Sequence, residues 1–157
     1  MTQETSSPPN QKTQNLQSLP RSPVDPELIL CAVDAAWRAD LRSAGFGWVF
    51  HLQDKTIAGE GSSAQCFVAS ALEAEGLAII EALKHAKRRR IEKLAMSSDS
   101  SQLIQALNSN FHPKVIYGII QDIQILSKSF RYVSFALIPR SLAKYSLNSL
   151  SVELTLI

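Results

Sequence analysis

The chain has 157 residues, 45% hydrophobic and 19% charged, with a formal net charge of +2. That length supports one domain with a real core, and the composition is ordinary for a soluble globular protein. The near-neutral balance does not demand a polyanionic partner, though clustered basic residues would permit one. No apolar run approaches the roughly 18–20 residues of a membrane span.

Cys31 and Cys66 have no CxxC partner and no neighbouring His cluster. They are expected to be reduced, in a cytosolic or nuclear protein rather than a secreted one. The N-terminus lacks the basic-then-apolar pattern of a signal peptide. Residues 1–26 are rich in Gln, Ser, Thr, Pro and Asn, a composition that cannot offset the entropy of ordering. They are expected to be a disordered tail ahead of a domain over 27–157.

The run from Ile29 to Trp37 is apolar with one charge, Asp34, inside it. It predicts a central strand covered on both faces. Asp34 either lies solvated at the strand's end or serves a site. Arg38 to Gly45 reads as a turn-rich connection. Phe46 to Leu52 is aromatic and β-branched, a second strand in which Gly45 and Gly47 allow close approach or a bulge. Asp54-Lys55 suits a turn, and Thr56 to Gly61 makes a weaker third strand. Three strands on short turns predict an antiparallel meander.

Ser70 reads as a helix N-cap, with Glu73 three residues on completing a capping box. Leu72, Ile79, Leu83 and Ala86 then form one helical stripe. Glu75 falls on the edge of that stripe, whereas Glu73 and Glu81 point away. A carboxylate at the margin of a buried face needs a partner. It pairs with a cation of the protein, or it belongs to a metal or acid–base site. The helix runs to about Arg89 and ends in Lys84, Lys87, Arg88, Arg89 and Arg90. These residues complement the helix macrodipole or form a phosphate-binding patch.

Glu92 to Ser97 predicts a fourth strand. Asp99 follows, either as an N-cap boxed with Gln102 or as a site residue. Phe111-His112-Pro113 breaks the chain, Val115 to Leu126 is an amphipathic helix, and Arg131 to Ile138 alternates as a fifth strand. Pro139-Arg140-Ser141 ends it, and the state of Leu142 to Ile157 stays open. No internal repeat is visible.

The order β-β-β-α-β-α-α-β predicts an α/β fold, a five-stranded mixed sheet with helices packed on it. The first strand's middle, the following helix's first turn and the fourth strand's C-terminal tip can then converge. Those places hold Asp34, Glu75 and Asp99. Crowded acids repel unless cations neutralise them. Oxygen ligands without His or Cys point to Mg²⁺ or Mn²⁺. Two such ions would activate water and stabilise the leaving oxygen in phosphodiester hydrolysis.

Val33-Asp34-Ala35-Ala36-Trp37, Gly45-Phe46-Gly47-Trp48, the Ser70–Leu83 helix, Ser98-Asp99-Ser100 and Ile138-Pro139-Arg140-Ser141 together resemble the plant reverse-transcriptase-like branch of the ribonuclease H superfamily. The likeness spans about Ile29 to Ser141. It implies a ribonuclease H-like fold and metal-dependent endonucleolytic hydrolysis of the RNA strand of RNA–DNA hybrids. It assigns Asp34, Glu75 and Asp99 as catalytic metal ligands. The family's fourth ligand, an Asp opening the last helix, falls on Leu147 without a gap or on Asn148 with one inserted residue. Asn offers a neutral oxygen and no charge, so the domain reads as truncated or degenerate after about 141.

His112 does not match the family's loop histidine, and His51 and His85 read as a strand-face and a helix-surface histidine. Phosphate contacts would come from Lys84, Lys87, Arg88 and Arg89. The alternatives are a nucleic-acid-binding module with weakened or lost catalysis, supported by the altered fourth position, and a pure interaction domain from a retroelement-derived gene.

Overall fold

The structure, a computed structural model, describes residues 25–138. The expected N-terminal tail up to residue 24, the Pro139-Arg140-Ser141 stop, the segment from Leu142 and Asn148 lie outside the described residues. In chain order the elements are β1 (Leu28–Arg38), β2 (Ser43–His51), β3 (Ile57–Cys66), α1 (Ala71–Arg88), β4 (Lys93–Ser98), α2 (Ser101–Asn108), a short 3-10 turn (Lys114–Ile116), α3 (Tyr117–Ser127) and β5 (Tyr132–Leu137). The strands form one sheet in the order β3-β2-β1-β4-β5. β1 pairs antiparallel with β2 and parallel with β4, which places it at the centre, as the apolar run predicts.

Alternation sets the core. Cys31, Val33 and Ala35 of β1 oppose Phe50, Trp48 and Phe46 of β2, and Leu94 and Met96 of β4 continue the row. Helix α1 lies over this layer with Ala74, Ala78, Ile79, Ala82, Leu83 and Ala86 buried. Each fully buried large aliphatic or aromatic side chain contributes about 1.5–3 kcal/mol relative to exposure. The mostly small inner face lets the helix approach closely. On its flank Gly76 meets α3, where a Cβ would lie 2.5 Å from Ile119 Cγ2.

Three expectations need correction. The connection after β1 is shorter than the composition suggests. Ladder pairing continues to Arg38↔Ser43, leaving a turn of Ala39 to Arg42, and Gly45 and Gly47 sit inside β2. The register irregularity falls instead between Phe50 and His51, against β3. β3 itself runs to Cys66 and is not the short strand expected. Its glycines disguise it, yet neighbours require them: Trp48 lies over Gly61, and Arg89 lies against Gly59. Lastly, His85 is not a helix-surface residue. It falls on the helical line of Ala78 and Ala82, half-buried against the sheet. Its Nδ1 accepts from Trp48 Nε1 at 2.8 Å, and its ring packs edge-on to Phe50.

At the far end of the sheet, Lys93 pairs with Asp25 at 2.7 Å and with Glu27 at 3.3 Å, while Arg131 reaches Glu92 at 3.3 Å. These pairs join the starts of β1, β4 and β5. Lys93 holds the Asp25 carboxyl below its ordinary pKa.

The two helical glycines described here separate packing from propensity. Gly118→Ala, in α3 with nothing within 4 Å of a new Cβ, should raise the melting temperature, by up to about 1 kcal/mol in stability. Gly76→Ala should lower it despite the same gain in propensity, because α3 must shift. Equal shifts in thermal denaturation would refute this packing. A second prediction concerns pH. Burial pushes the His85 ring below its ordinary pKa of 6.5, and Arg88 and Arg89 push the same way. A depressed pKa means the fold favours the neutral ring. The associated stability is therefore fully present above 6.5 and lost as pH falls through the lower, folded value. Melting curves between about pH 8 and about pH 5 should show a loss that disappears in His85→Phe. An identical acid response in both proteins would contradict it.

Candidate active site

The parallel register of β1 and β4 brings two acids level. The last ladder pair is Ala32↔Ser97. Asp34 lies two residues beyond Ala32, and Asp99 two residues beyond Ser97. Adjacent strands are about 4.8 Å apart, so the two carboxylates meet where the strands end their pairing. Asp34 faces Gly47 in the β2 register, and its Oδ1 accepts from Ala35 N at 2.9 Å.

Glu75 arrives from α1. It shares the line of Ile79, Leu83 and Ala86, so seating the helix on the sheet aims it at the same place. Capping does not engage it. Ser70 Oγ accepts from Glu73 N at 3.1 Å, and Glu73 Oε2 accepts from Ala69 N at 2.8 Å. The Ser70–Glu73 box therefore forms as expected, with the Glu73 carboxylate reaching back to Ala69. Glu73 does the capping, and Glu75 does not.

Asp99 is likewise released from the capping role that the sequence allowed. The N-cap of α2 is Ser100, whose Oγ accepts from Leu103 N at 3.4 Å. Ser98 is buried, and its Oγ accepts from Ser100 N at 3.2 Å. The run Ser98-Asp99-Ser100 offers three good capping residues in a row, so sequence alone could not choose among them. With Ser100 as cap, Gln102 stands in the first turn without forming a capping box.

One carboxylate oxygen from each of Asp34, Glu75 and Asp99 lies within 4.8 Å of the other two, and all three residues are half-buried. Each pair of charges at that spacing repels by about 1 to 3.5 kcal/mol, depending on the local dielectric. A divalent cation would reverse that sign. The donor set holds hard oxygens and neither His nor Cys, which fits Mg²⁺ or Mn²⁺ and not a thiolate-seeking metal. Glu75 and Asp99 open onto a shallow depression of about 220 Å³, lined also by Ala71, Leu72, Ser100 and Gln102. The sequence signalled Gln102 only as a candidate cap, so its place in the site wall was not legible there.

The basic run lies elsewhere. It occupies the C-terminal end of α1, roughly 20 Å from Glu75 at 1.5 Å per residue. Lys84 pairs with Glu81 at 3.4 Å. Arg89 is committed to the fold, donating to Ala58 O at 2.8 Å and lying over the Phe50 ring. Lys87 and Arg88 are exposed. His112 Nε2 donates to Ser109 O at 3.1 Å, among the chain-break residues.

Residues 32–146 match the family described as reverse transcriptase-like. No curated protein matches the chain significantly. Among solved structures, it is similar to an RNase H1 from the halophilic archaeon Halobacterium salinarum, at 23% identity and a TM-score of 0.69, over 74% of this chain and 89% of that one. The N-terminal RNase H domain of rv2228c from Mycobacterium tuberculosis aligns at 20% identity and a TM-score of 0.67, over 77% and 88% of the two chains. A third, LC11-RNase H1 from a compost metagenome, was solved in complex with an RNA/DNA hybrid; it aligns at 18% identity and a TM-score of 0.66, over 74% and 89%. The sheet order and the helices packed on it make a ribonuclease H-like fold, and the matched residues establish that the chain belongs to the reverse transcriptase-like family.

Proposed function

We propose that the protein is a divalent-metal-dependent endonuclease that hydrolyses the RNA strand of RNA–DNA hybrids. The observation that carries this reading is the meeting of three carboxylates, from β1, α1 and the β4–α2 junction, within 4.8 Å at the end of the β1–β4 ladder. Asp34, Glu75 and Asp99 would hold Mg²⁺ or Mn²⁺, as two ions. Bound there, the ions would activate a water and stabilise the leaving oxygen. The chain's own part is to fix the three oxygens, to keep Glu73 and Ser100 on capping duty, and to present an open wall to the substrate. The hybrid held by LC11-RNase H1 supports the same substrate class here. Lys84, Lys87 and Arg88 would meet backbone phosphates away from the cut, and the 2′-hydroxyls of the minor groove would mark the RNA strand.

A second reading is a binding module with weakened catalysis. Its support is that the fourth ligand position falls on Leu147 or Asn148, neither of which is a carboxylate.

End-labelled hybrid incubated with Mg²⁺ and then Mn²⁺ tests both. Cleavage by the native chain should fall at least on the order of a hundredfold in Asp34→Asn, with the fold retained. Unchanged cleavage would sink the assigned role. A silent native chain with active Asn148→Asp would favour the second reading. Stability gives an independent readout. In EDTA, Asp34→Asn should melt above the native protein, since one of three repelling charges is gone. Millimolar Mg²⁺ or Mn²⁺ should then raise the native melting temperature and leave the variant's nearly unchanged. A native protein indifferent to metal would contradict the site.

A further inference from the structure

Phe67 bears two costs without a structural return. The residue is 91% exposed, and its backbone is left-handed at a φ of 60°. Bulky residues rarely adopt that region, and such outliers concentrate where function requires them. The residue is not on a loose loop. Before it, Cys66 pairs with Ser43 in the β2–β3 ladder. After it, buried Val68 donates its N–H to Arg42 O at 2.7 Å and accepts from Trp37 Nε1 at 2.9 Å. A fixed backbone thus holds the ring out in solvent.

The residue across from it repeats the pattern. Arg42 is exposed and also left-handed, at a φ of 47°. The acid of its turn, Asp40, is held by Arg38 at 2.7 Å. Among the described residues no ion pair involves Arg42. Leu41, 52% exposed, widens the apolar surface beside it. The segment from Phe67 leads directly into Ser70 and the N-terminal part of α1, whose Ala71, Leu72 and Glu75 line the acid depression.

We propose that Phe67 and Arg42 form a gripping corner of the nucleic-acid site, with Phe67 stacking on a base or sugar and Arg42 holding an adjoining phosphate. The inference rests on the nucleic-acid reading above. A single ring beside a guanidinium suits a strand that alternates flat bases with anionic phosphates. The short chain link from Phe67 to Ala71 on the wall of the depression makes that strand the one bound for hydrolysis.

Binding of a labelled RNA–DNA hybrid tests this, measured by anisotropy in the Asp34→Asn background with Mg²⁺ so that the substrate stays intact. Phe67→Gly should weaken binding roughly tenfold, and Phe67→Tyr should restore it. Arg42→Ala should reduce the slope of log K against log salt by about one. Because glycine accepts a positive φ, Phe67→Gly should melt at or above its parent. If Phe67→Gly and Arg42→Ala bind like the parent, the corner is wrong and the nucleic-acid reading stands. If Phe67→Gly melts well below the parent, the ring is structural and the proposal fails. If the parent binds no hybrid, the broader reading fails and takes this one with it.

Discussion

The parallel pairing of β1 with β4 is the constraint from which the rest follows. Side chains in a strand repeat every two residues, so a one-residue slip would carry Asp99 off the level of Asp34 and turn Met96 away from the core. The core holds that register. Cys31 opposite Met96 and Ile29 opposite Leu94 are buried or packed against buried neighbours under α1. The ion pairs of Lys93 with Asp25 and Glu27 stand at the same ladder's start. Surface pairs of this kind contribute little, so they assist the register and do not create it.

Helix α1 adds the third acid under a separate condition. Its inner face is alanine at four-residue steps, and Gly76 gives α3 a close seat. A bulkier face would lift the helix and withdraw Glu75 from the strand ends. The acid trio therefore depends on small residues as much as on the acids. The same packing draws His85 in against Trp48 and Phe50, and it carries Arg89 across to β3. Structure thus divides the basic helix end. Arg89 is spent on the fold, while Lys87 and Arg88 remain at the surface.

Much of this was legible beforehand, for identifiable reasons. The order of elements follows from hydrophobic periodicity, and Glu75 could be separated from Glu73 and Glu81 by helical phase alone. Strand ends were less readable. Gly45, Gly47, Gly59 and Gly61 look like breaks, yet all four sit inside β2 and β3, where Trp48 lies over Gly61 and Arg89 against Gly59. Asp99 was ambiguous because a serine on either side could cap as well as it could. His85 was misplaced because its line, through Ala78 and Ala82, was masked by the larger Leu72, Ile79 and Leu83. Phe67 gave no signal at all, since only backbone geometry shows its left-handed φ.

The central claim is that Asp34, Glu75 and Asp99 act together as one divalent-ion site. The most direct test is titration of the native chain with Mn²⁺, following free ion by electron paramagnetic resonance, beside Asp34→Asn, Glu75→Gln and Asp99→Asn. Saturable binding by the native chain, weakened by each of the three substitutions in folded protein, is the predicted result. Binding left unchanged by any of the three, or no binding by the native chain at millimolar metal, would contradict it.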